Sequence, residues 1–211
     1  MSTLTDIGEN LERGKRKVVV QLVKQALEEG LAPQQILTEG LLPGLDRVGL
    51  KFRNTEVFVP EVLVAARAMS AGVEELKPLL AESGSTSKGK AVLGTVKGDL
   101  HDIGKNLVRM MLEGKGIEVI DLGVDVAPEA FVQAAVENNA DLICCSALLT
   151  TTMPVIGEVI KAAEDAGIRN KVKIMVGGAP VTQEFCDSVG ADCYTPDAAT
   201  AAIRAAEILS A

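Results

Sequence analysis

The spacing of apolar residues changes near residue 80, and this change constrains the fold more than any other feature of the chain. Before it, apolar residues recur at intervals of three and four, as at Val19, Val23 and Ala26. That spacing is typical of amphipathic helices. Beyond residue 90, short apolar runs alternate with amphipathic stretches, as in folds built on a parallel sheet. The chain is therefore expected to join a helical half to an α/β half.

The first half is expected to form a small four-helix bundle. Gly14, Gly30–Pro33 and Arg53–Thr55 interrupt the helical pattern, and Pro60 suits the first turn of a helix. The expected helices lie near 3–13, 15–29, 33–52 and 58–80.

The second half is expected to form a doubly wound, five-stranded parallel sheet of the Rossmann-like or flavodoxin-like kind, with right-handed crossovers. The expected strands are 91–96, 117–122, 141–148, 173–178 and 192–195. Helices are expected near 104–115, 128–139, 153–167, 181–189 and 198–209. Ligands of such sheets bind beyond the carboxyl ends of the strands, so the chemistry is expected in the loops that follow them.

A stretch rich in Ser and Gly separates the two patterns. It covers residues 81–90, contains little apolar content and is interpreted as a flexible linker. We therefore expect a helical domain at 1–80, a linker at 81–90 and an α/β domain at 91–211.

Composition excludes several classes of partner. The net charge of −8 and the pI near 4.8 leave no large basic surface for a phosphate backbone, so nucleic acid is not expected as a partner. No apolar run approaches the length that crosses a bilayer, and the first residues do not resemble a signal peptide. We expect a cytoplasmic protein without a membrane partner. The four cysteines are expected to be buried, reduced thiols.

The only histidine of the chain follows the first expected strand. It belongs to the run Gly98-Asp99-Leu100-His101-Asp102-Ile103-Gly104. A lone histidine is more often a surface residue or a satisfied core residue than a ligand. His101, however, lies in a strand-end loop two residues after Asp99, whose carboxylate can accept an imidazole N–H. Proteins orient metal-binding imidazoles in this way.

Two kinds of metal site are compatible with this loop. A closed zinc site would have to be assembled from scattered residues, since the chain has one histidine and no C-x-x-C pair. A metal held in a macrocycle brings most of its own ligands and needs a single axial nitrogen from the protein. The second hypothesis explains a single histidine more economically.

Two further motifs follow later strands, Ser146-Ala147-Leu148 and Gly177-Gly178. Together with D-x-H-x-x-G at 99–104, their order and spacing resemble the cobalamin-binding signature shared by methionine synthase, corrinoid methyltransferase proteins and several mutases. The resemblance implies a corrinoid whose own benzimidazole base is displaced from cobalt. His101 would be the lower axial ligand, and the nucleotide tail would lie in a slot beside the sheet.

The resemblance also implies roles for the neighbouring residues. The cofactor-binding set would be Gly98, Asp99, Leu100, His101, Asp102, Ile103, Gly104, Ser146, Leu148, Thr150, Gly177 and Gly178. The glycines would leave room for the nucleotide loop, and the hydroxyls of Ser146 and Thr150 would bind polar groups. The alternative for Gly177-Gly178 is a simple turn after a strand.

Thr152 stands where methionine synthases have a serine that completes a relay of histidine, aspartate and hydroxyl. The catalytic set implied by the resemblance is therefore His101, Asp99 and Thr152, with His101 as the metal ligand. The alternative for Thr150, Thr151 and Thr152 is that they cap the helix that begins near Met153.

Residues 41–80 resemble the helical cap that covers the upper face of the corrin in methionine synthase and in corrinoid proteins. Phe58, Val59 and Val62 are candidates for the apolar surface over the methyl group. The alternative is that these three residues belong to the core of the helix bundle.

The two halves together resemble the free-standing corrinoid subunits of methyltransferase systems. This implies a methyl carrier that works with a substrate-specific methyltransferase, an acceptor methyltransferase and a reductive activator of the corrinoid, with tetrahydrofolate or a thiol coenzyme as acceptor. Three alternatives remain: a small subunit of an adenosylcobalamin-dependent mutase, a cobalamin-responsive regulator, and a flavodoxin-like domain that binds no corrinoid. The residues do not indicate the methyl donor.

Overall fold

A computed structural model describes residues 2–82 and 88–210. The chain divides into two compact units, Met1–Thr86 and Ser87–Ala211. Of the expected linker, residues 83–87 lie outside the described residues, whereas 81–82 belong to the last helix of the first unit and Lys90 begins a strand.

The first unit is helical. Its elements are α1 (Thr3–Glu12), α2 (Arg16–Glu28), α3 (Pro33–Gln35), a π-helical segment (Ile36–Leu41), α4 (Leu42–Arg53) and α5 (Val59–Glu82). Ser2 caps α1, because its hydroxyl accepts a hydrogen bond from the backbone N–H of Thr5. Apolar residues at helical spacing are fully buried, among them Ile7, Leu11 and Val23.

The helix expected at 33–52 is interrupted by the π-helical segment. There the backbone N–H of Leu42 bonds to the carbonyl of Leu37, five residues earlier. Pro43 follows directly, and a proline lacks an N–H and crowds the carbonyl four residues before it, here that of Glu39. A local widening of the helix relieves that clash. The apolar spacing of the sequence does not distinguish the two helix types.

The second unit has the expected alternation of strands and helices. Its strands are β1 (Lys90–Thr95), β2 (Glu118–Asp121), β3 (Leu142–Ser146), β4 (Lys173–Gly177) and β5 (Cys193–Tyr194). Its helices are α6 (Ile103–Gly114), α7 (Pro128–Asn138), α8 (Pro154–Asp165), α9 (Gln183–Val189) and α10 (Ala198–Ile208). The five strands pair in parallel in the order β2-β1-β3-β4-β5. The sheet is the doubly wound, five-stranded parallel sheet that the alternation predicts, and its strand order is the flavodoxin-like one.

The order of the strands places the ligand crevice. The chain leaves β1 for β2 on one side and later returns to β3 on the other, so the carboxyl ends of β1 and β3 flank the switch point where such folds bind ligands. In the register of the sheet, Thr95 pairs with Ser146, and Ser146 pairs with Gly177. The loops that carry the three motifs therefore start at one level of the same edge.

A continuous apolar core holds this edge in place. Val92, Ile143 and Ile174 of the central strands are fully buried and belong to one cluster with Phe131 of α7 and Ile156 of α8. Burial of side chains of this size stabilises the fold by roughly 1.5 to 3 kcal/mol each. The strands are thus a rigid base for the loops beyond them.

The cysteines form no disulfides in the described part of the chain. All four cysteines lie in the described part of the chain, and each is buried and unpaired. Burial raises the pKa of the Cys144 thiol to about 12, so this thiol stays protonated.

Within residues 2–82 and 88–210, no helix has the length and apolar character required to cross a membrane.

Candidate functional site

The loop after β1 brings His101 and Asp99 together. Gly98 adopts a left-handed conformation (φ +84°) and turns the chain so that the Asp99 side chain is completely buried. His101 Nδ1 lies 2.7 Å from Asp99 Oδ1, and the backbone N–H of His101 donates to the same oxygen at 3.1 Å. The hydroxyl of Thr95 donates to the His101 carbonyl at 2.8 Å. Side chain and backbone of His101 are thus both held.

The ionisation of Asp99 fixes the tautomer of His101. Burial acts to raise the pKa of Asp99, but hydrogen bonds from the N–H groups of Leu148 and His101 and the hydroxyl of Thr152 outweigh it and lower the pKa to about 2. A carboxylate only accepts hydrogen bonds, so the imidazole proton lies on Nδ1. Nε2 then carries the lone pair, on a side chain that is 52% exposed. His101 is ready to bind a metal through Nε2.

The loop after β3 supplies the second side of the Asp99 site. Asp99 Oδ2 accepts hydrogen bonds from the backbone N–H of Leu148 at 2.7 Å and from the hydroxyl of Thr152 at 2.9 Å. The Thr152 hydroxyl is also 2.9 Å from the carbonyl of Leu149, so its single proton has two acceptors. Met153 is the N-cap residue of α8, without a side-chain cap. The Thr152 hydroxyl therefore faces Asp99 instead of capping α8.

The other expected polar residues lie apart from this chain of hydrogen bonds. Ser146 ends β3 and is half-buried, and Thr150 is exposed. Neither hydroxyl bonds to a side chain or backbone group of the described residues. Asp102 is exposed and accepts a hydrogen bond from Asn106 of α6 at 3.3 Å. The hydroxyls of Ser146 and Thr150 remain available to a ligand.

The glycines of the motifs differ in how much space surrounds them. A Cβ on Gly178 would lie 1.9 Å from the Ala147 carbonyl oxygen, and its φ is +128°. A Cβ on Gly177 would lie 3.1 Å from the Thr195 carbonyl oxygen, and one on Gly104 would meet nothing within 4 Å. Gly178 is therefore required by the close approach of two loops of the protein itself. Of these three glycines, only Gly104 borders open space.

Large apolar side chains are exposed around His101. Leu100 is 73% exposed, Ile103 is 68% exposed and Leu149 is 41% exposed. Within the described ranges, no group of three or more His, Cys, Asp or Glu side chains could together hold a metal ion. One oriented imidazole nitrogen beside exposed apolar side chains is the donor set that suits a metal in a broad, largely apolar macrocycle. These residues fit a corrinoid.

The candidates in the helical unit differ in exposure. Phe58 is 65% exposed and Val59 is half-buried, whereas Val62 is 1% exposed. Burial of Val62 favours the core interpretation for that residue. Phe58 is the one of the three that offers a large apolar surface.

Residues outside the expected set also hold the His101 loop. They are Thr95, Lys105, Asp121 and Asp125. Asp121 ends β2 and Asp125 follows it, whereas His101 follows β1, and only the strand order makes them neighbours. Thr95 ends β1, shortly before Gly98, but nothing in the sequence indicated that its hydroxyl would bond to the His101 loop. The strand order, once inferred, is the signal by which Asp121 and Asp125 could have been found.

Comparison with known families matches both units. The family model described as the B12 binding domain covers residues 89–206, and a second model of the same description covers residues 3–77. The dimethylamine corrinoid protein 1 of Methanosarcina acetivorans is 47% identical over 93% of this chain and 92% of its own length. A corrinoid protein of Desulfitobacterium hafniense is 40% identical over 99% of this chain and 98% of its own length.

Comparison with solved structures leads to the same family. A cobalamin-binding protein from Desulfitobacterium hafniense superposes with a TM-score of 0.83 and 30% identity, covering 97% of this chain and 98% of that chain. The methanol:cobalamin methyltransferase complex MtaBC from Methanosarcina barkeri gives a TM-score of 0.84 and 32% identity, covering 99% of this chain and 80% of that chain. These likenesses confirm the expected fold and the corrinoid cofactor, and they do not favour the mutase subunit or the regulator. The chain belongs to the B12-binding corrinoid proteins that work with methyltransferases.

Proposed function

We propose that this protein carries a methyl group on the cobalt of a corrinoid, and that His101 Nε2 would be the protein nitrogen that holds this cobalt. The observation that carries the proposal is the 2.7 Å contact between His101 Nδ1 and the completely buried Asp99. It assigns the imidazole proton to Nδ1 and leaves the Nε2 lone pair for a metal. When bound, the corrinoid supplies a cobalt centre that accepts a methyl group and later releases it.

The protein's own part is to hold the imidazole and its proton. Asp99 orients the ring and accepts the hydrogen bond from its Nδ1–H. Thr152 completes the chain of hydrogen bonds by donating to Asp99 Oδ2. We propose that His101, Asp99 and Thr152 act together to adjust how strongly Nε2 binds cobalt.

The remaining residues would form the surface of the corrinoid site. Leu100 and Ile103 expose apolar side chains beside His101, and Gly104 leaves open space at the start of α6. Ser146 and Thr150 would bind polar groups of the nucleotide tail. Gly98, Asp102, Leu148, Gly177 and Gly178 would shape the loops that receive the cofactor.

The helical unit is proposed as a cap domain over the methyl group. The proposal is supported by the B12 binding domain model that matches residues 3–77 and by the exposed Phe58, with Val59 beside it. The proposed domains are a cap at 1–80, a linker at 81–90 and a cobalamin-binding domain at 91–211. The cap would shield the methyl group between encounters with partners.

Two methyltransferases and an activator are proposed as partners. A substrate-specific methyltransferase would load the methyl group, and a second would pass it to an acceptor such as tetrahydrofolate or a thiol coenzyme. A reductive activator would restore the corrinoid after oxidation. Because several similar relatives are named dimethylamine corrinoid proteins, we propose a methylated amine as the donor. Recognition of that amine would reside in the partner enzyme.

The ligand assignment is tested by the His101→Ala variant reconstituted with methylcobalamin. The wild-type protein should show the spectrum of a corrinoid coordinated by histidine, with its own base displaced. The variant should still bind some corrinoid but lose that spectrum, because no other imidazole exists in the chain. An unchanged ultraviolet-visible spectrum in the variant would refute the assignment.

A further inference from the structure

The loop after β2 reaches the residues that directly precede His101. The backbone N–H of Gly98 donates to Asp125 Oδ1 at 2.7 Å. The backbone N–H of Asp125 donates to the Asp99 carbonyl at 3.0 Å. Asp125 thus holds two consecutive residues of the His101 loop, one through its side chain and one through its backbone.

Asp125 adopts a conformation that L-residues rarely take. Its φ is +55°, in the left-handed region that disfavours most side chains and that Asp and Asn tolerate best. The next residue, Val126, forms a parallel bridge with Val96, and its N–H donates to the Thr95 carbonyl at 3.0 Å. The surrounding backbone bonds therefore hold Asp125 in a strained conformation that aims its carboxylate at Gly98.

The end of β2 also holds the chain after His101. Lys105 Nζ lies 2.6 and 2.7 Å from the two carboxylate oxygens of Asp121, the last residue of β2, and Lys105 is only 2% exposed. Lys105 lies in the first turn of α6, where the helix dipole disfavours a positive charge. Its position is therefore explained by the contact with Asp121 and not by helix preference. This ion pair joins the first turn of α6 to the end of β2.

We infer that residues 121–126, the last residue of β2 and the loop after it, are a positioning element for His101, with Asp125 as its principal positioning residue. This segment holds residues 98–99 before His101 and Lys105 after it, so the backbone between them has little freedom. A fixed backbone keeps Nδ1 at hydrogen-bonding distance from Asp99 and presents Nε2 in one direction. The inference rests on the proposed role of His101 as axial ligand.

Two substitutions at Asp125 separate the side-chain hydrogen bond from the backbone conformation. Asp125→Gly tolerates the positive φ but removes the acceptor for Gly98 N–H, whereas Asp125→Asn keeps both. Asp125 is exposed, so neither variant disturbs the core. In the protein without cofactor, we expect hydrogen exchange at the Gly98 amide to accelerate about three- to tenfold in Asp125→Gly. Asp125→Asn should stay near the wild-type rate.

The second readout uses the reconstituted protein. At saturating methylcobalamin, Asp125→Gly should show a smaller histidine-coordinated fraction in its ultraviolet-visible spectrum than the wild type, and Asp125→Asn should restore it. Wild-type exchange rates and an unchanged spectrum in Asp125→Gly would overturn the inference. If the wild type itself shows no histidine coordination, the proposed function fails, and the exchange rates alone then decide whether Asp125 holds the loop.

Discussion

Asp99 is the residue at which the contacts of the site converge. Its two oxygens accept hydrogen bonds from His101, Leu148 and Thr152, and no part of its side chain meets solvent. A buried carboxylate is costly unless such donors surround it. The site therefore depends on Asp99 for its stability as well as for the orientation of the imidazole.

The pKa of Asp99 predicts a pH-dependent part of the free energy of unfolding. It falls from an ordinary 3.8 to about 2 in the folded protein. This difference corresponds to about 2 kcal/mol of stability, which is fully present above the unfolded pKa and is lost as the pH falls through the folded one. Urea unfolding without cofactor, at a series of pH values, measures it.

Asp99→Asn is the matched control for that series, because its side chain does not titrate. We expect it to be less stable than the wild type by about 2 kcal/mol or more at neutral pH, since each carboxylate oxygen accepts from two donors and the amide NH2 would face one of these pairs. The difference should shrink as the pH falls from about 4 towards about 2. A difference that stays constant over that interval would contradict the assignment of an ionised Asp99.

The central residues of the site could be predicted from sequence because they lie within short motifs. Asp99 and His101 are two residues apart, and Thr152 follows a second recognisable motif. Asp125 and Lys105 were missed for a physical reason. Their partners come from other elements, and hydroxyls, carboxylates and amines carry no periodicity that reveals contacts across a sheet.

At the scale of elements, the strand-end loops of β3 and β4 pack directly against each other. Gly178→Ala should be strongly destabilising, by about 3 kcal/mol or more, because its Cβ would lie 1.9 Å from the Ala147 carbonyl oxygen and its φ is +128°. Thermal unfolding of the protein without cofactor measures this. A stable Gly178→Ala protein would contradict the close approach of the two loops.

Gly104→Ala is the comparison for Gly178→Ala, because the same substitution is made at a glycine with open space around it. Its Cβ would meet nothing within 4 Å, and alanine favours a helix by about 1 kcal/mol over glycine. The variant should be as stable as the wild type or slightly more stable. If Gly104 borders the corrinoid as proposed, the variant should nevertheless bind cobalamin more weakly in a titration.

The order and type of most elements could be predicted from apolar spacing, since the central strands β1, β3 and β4 are short, mostly buried runs and the longer helices bury one face. The π-helical segment Ile36–Leu41 could not, because its apolar residues continue the spacing of an ordinary helix. Pro43 was the available signal. Its effect depends on the carbonyl of Glu39 and therefore on the backbone, not on residue type alone.

At the scale of the whole molecule, two family models match two compact units, and the relatives extend over nearly the full chain. The change of pattern near residue 80 could be read from the sequence because helical and α/β periodicities differ. The function of each unit could not be read from periodicity. The function of the α/β unit was predicted from the motif around the only histidine and the two motifs that follow it, and that of the helical unit from the resemblance of residues 41–80 to a cap.

The most direct measurement is electron paramagnetic resonance of the protein reconstituted with cobalamin in the Co(II) state and carrying histidine labelled with the heavy nitrogen isotope. With one histidine in the chain, the label reports His101 alone. Our account expects the label to change the number of nitrogen hyperfine lines, because Nε2 binds the cobalt. An unaltered pattern would show that another nitrogen, or none, occupies the lower axial position and would contradict the account.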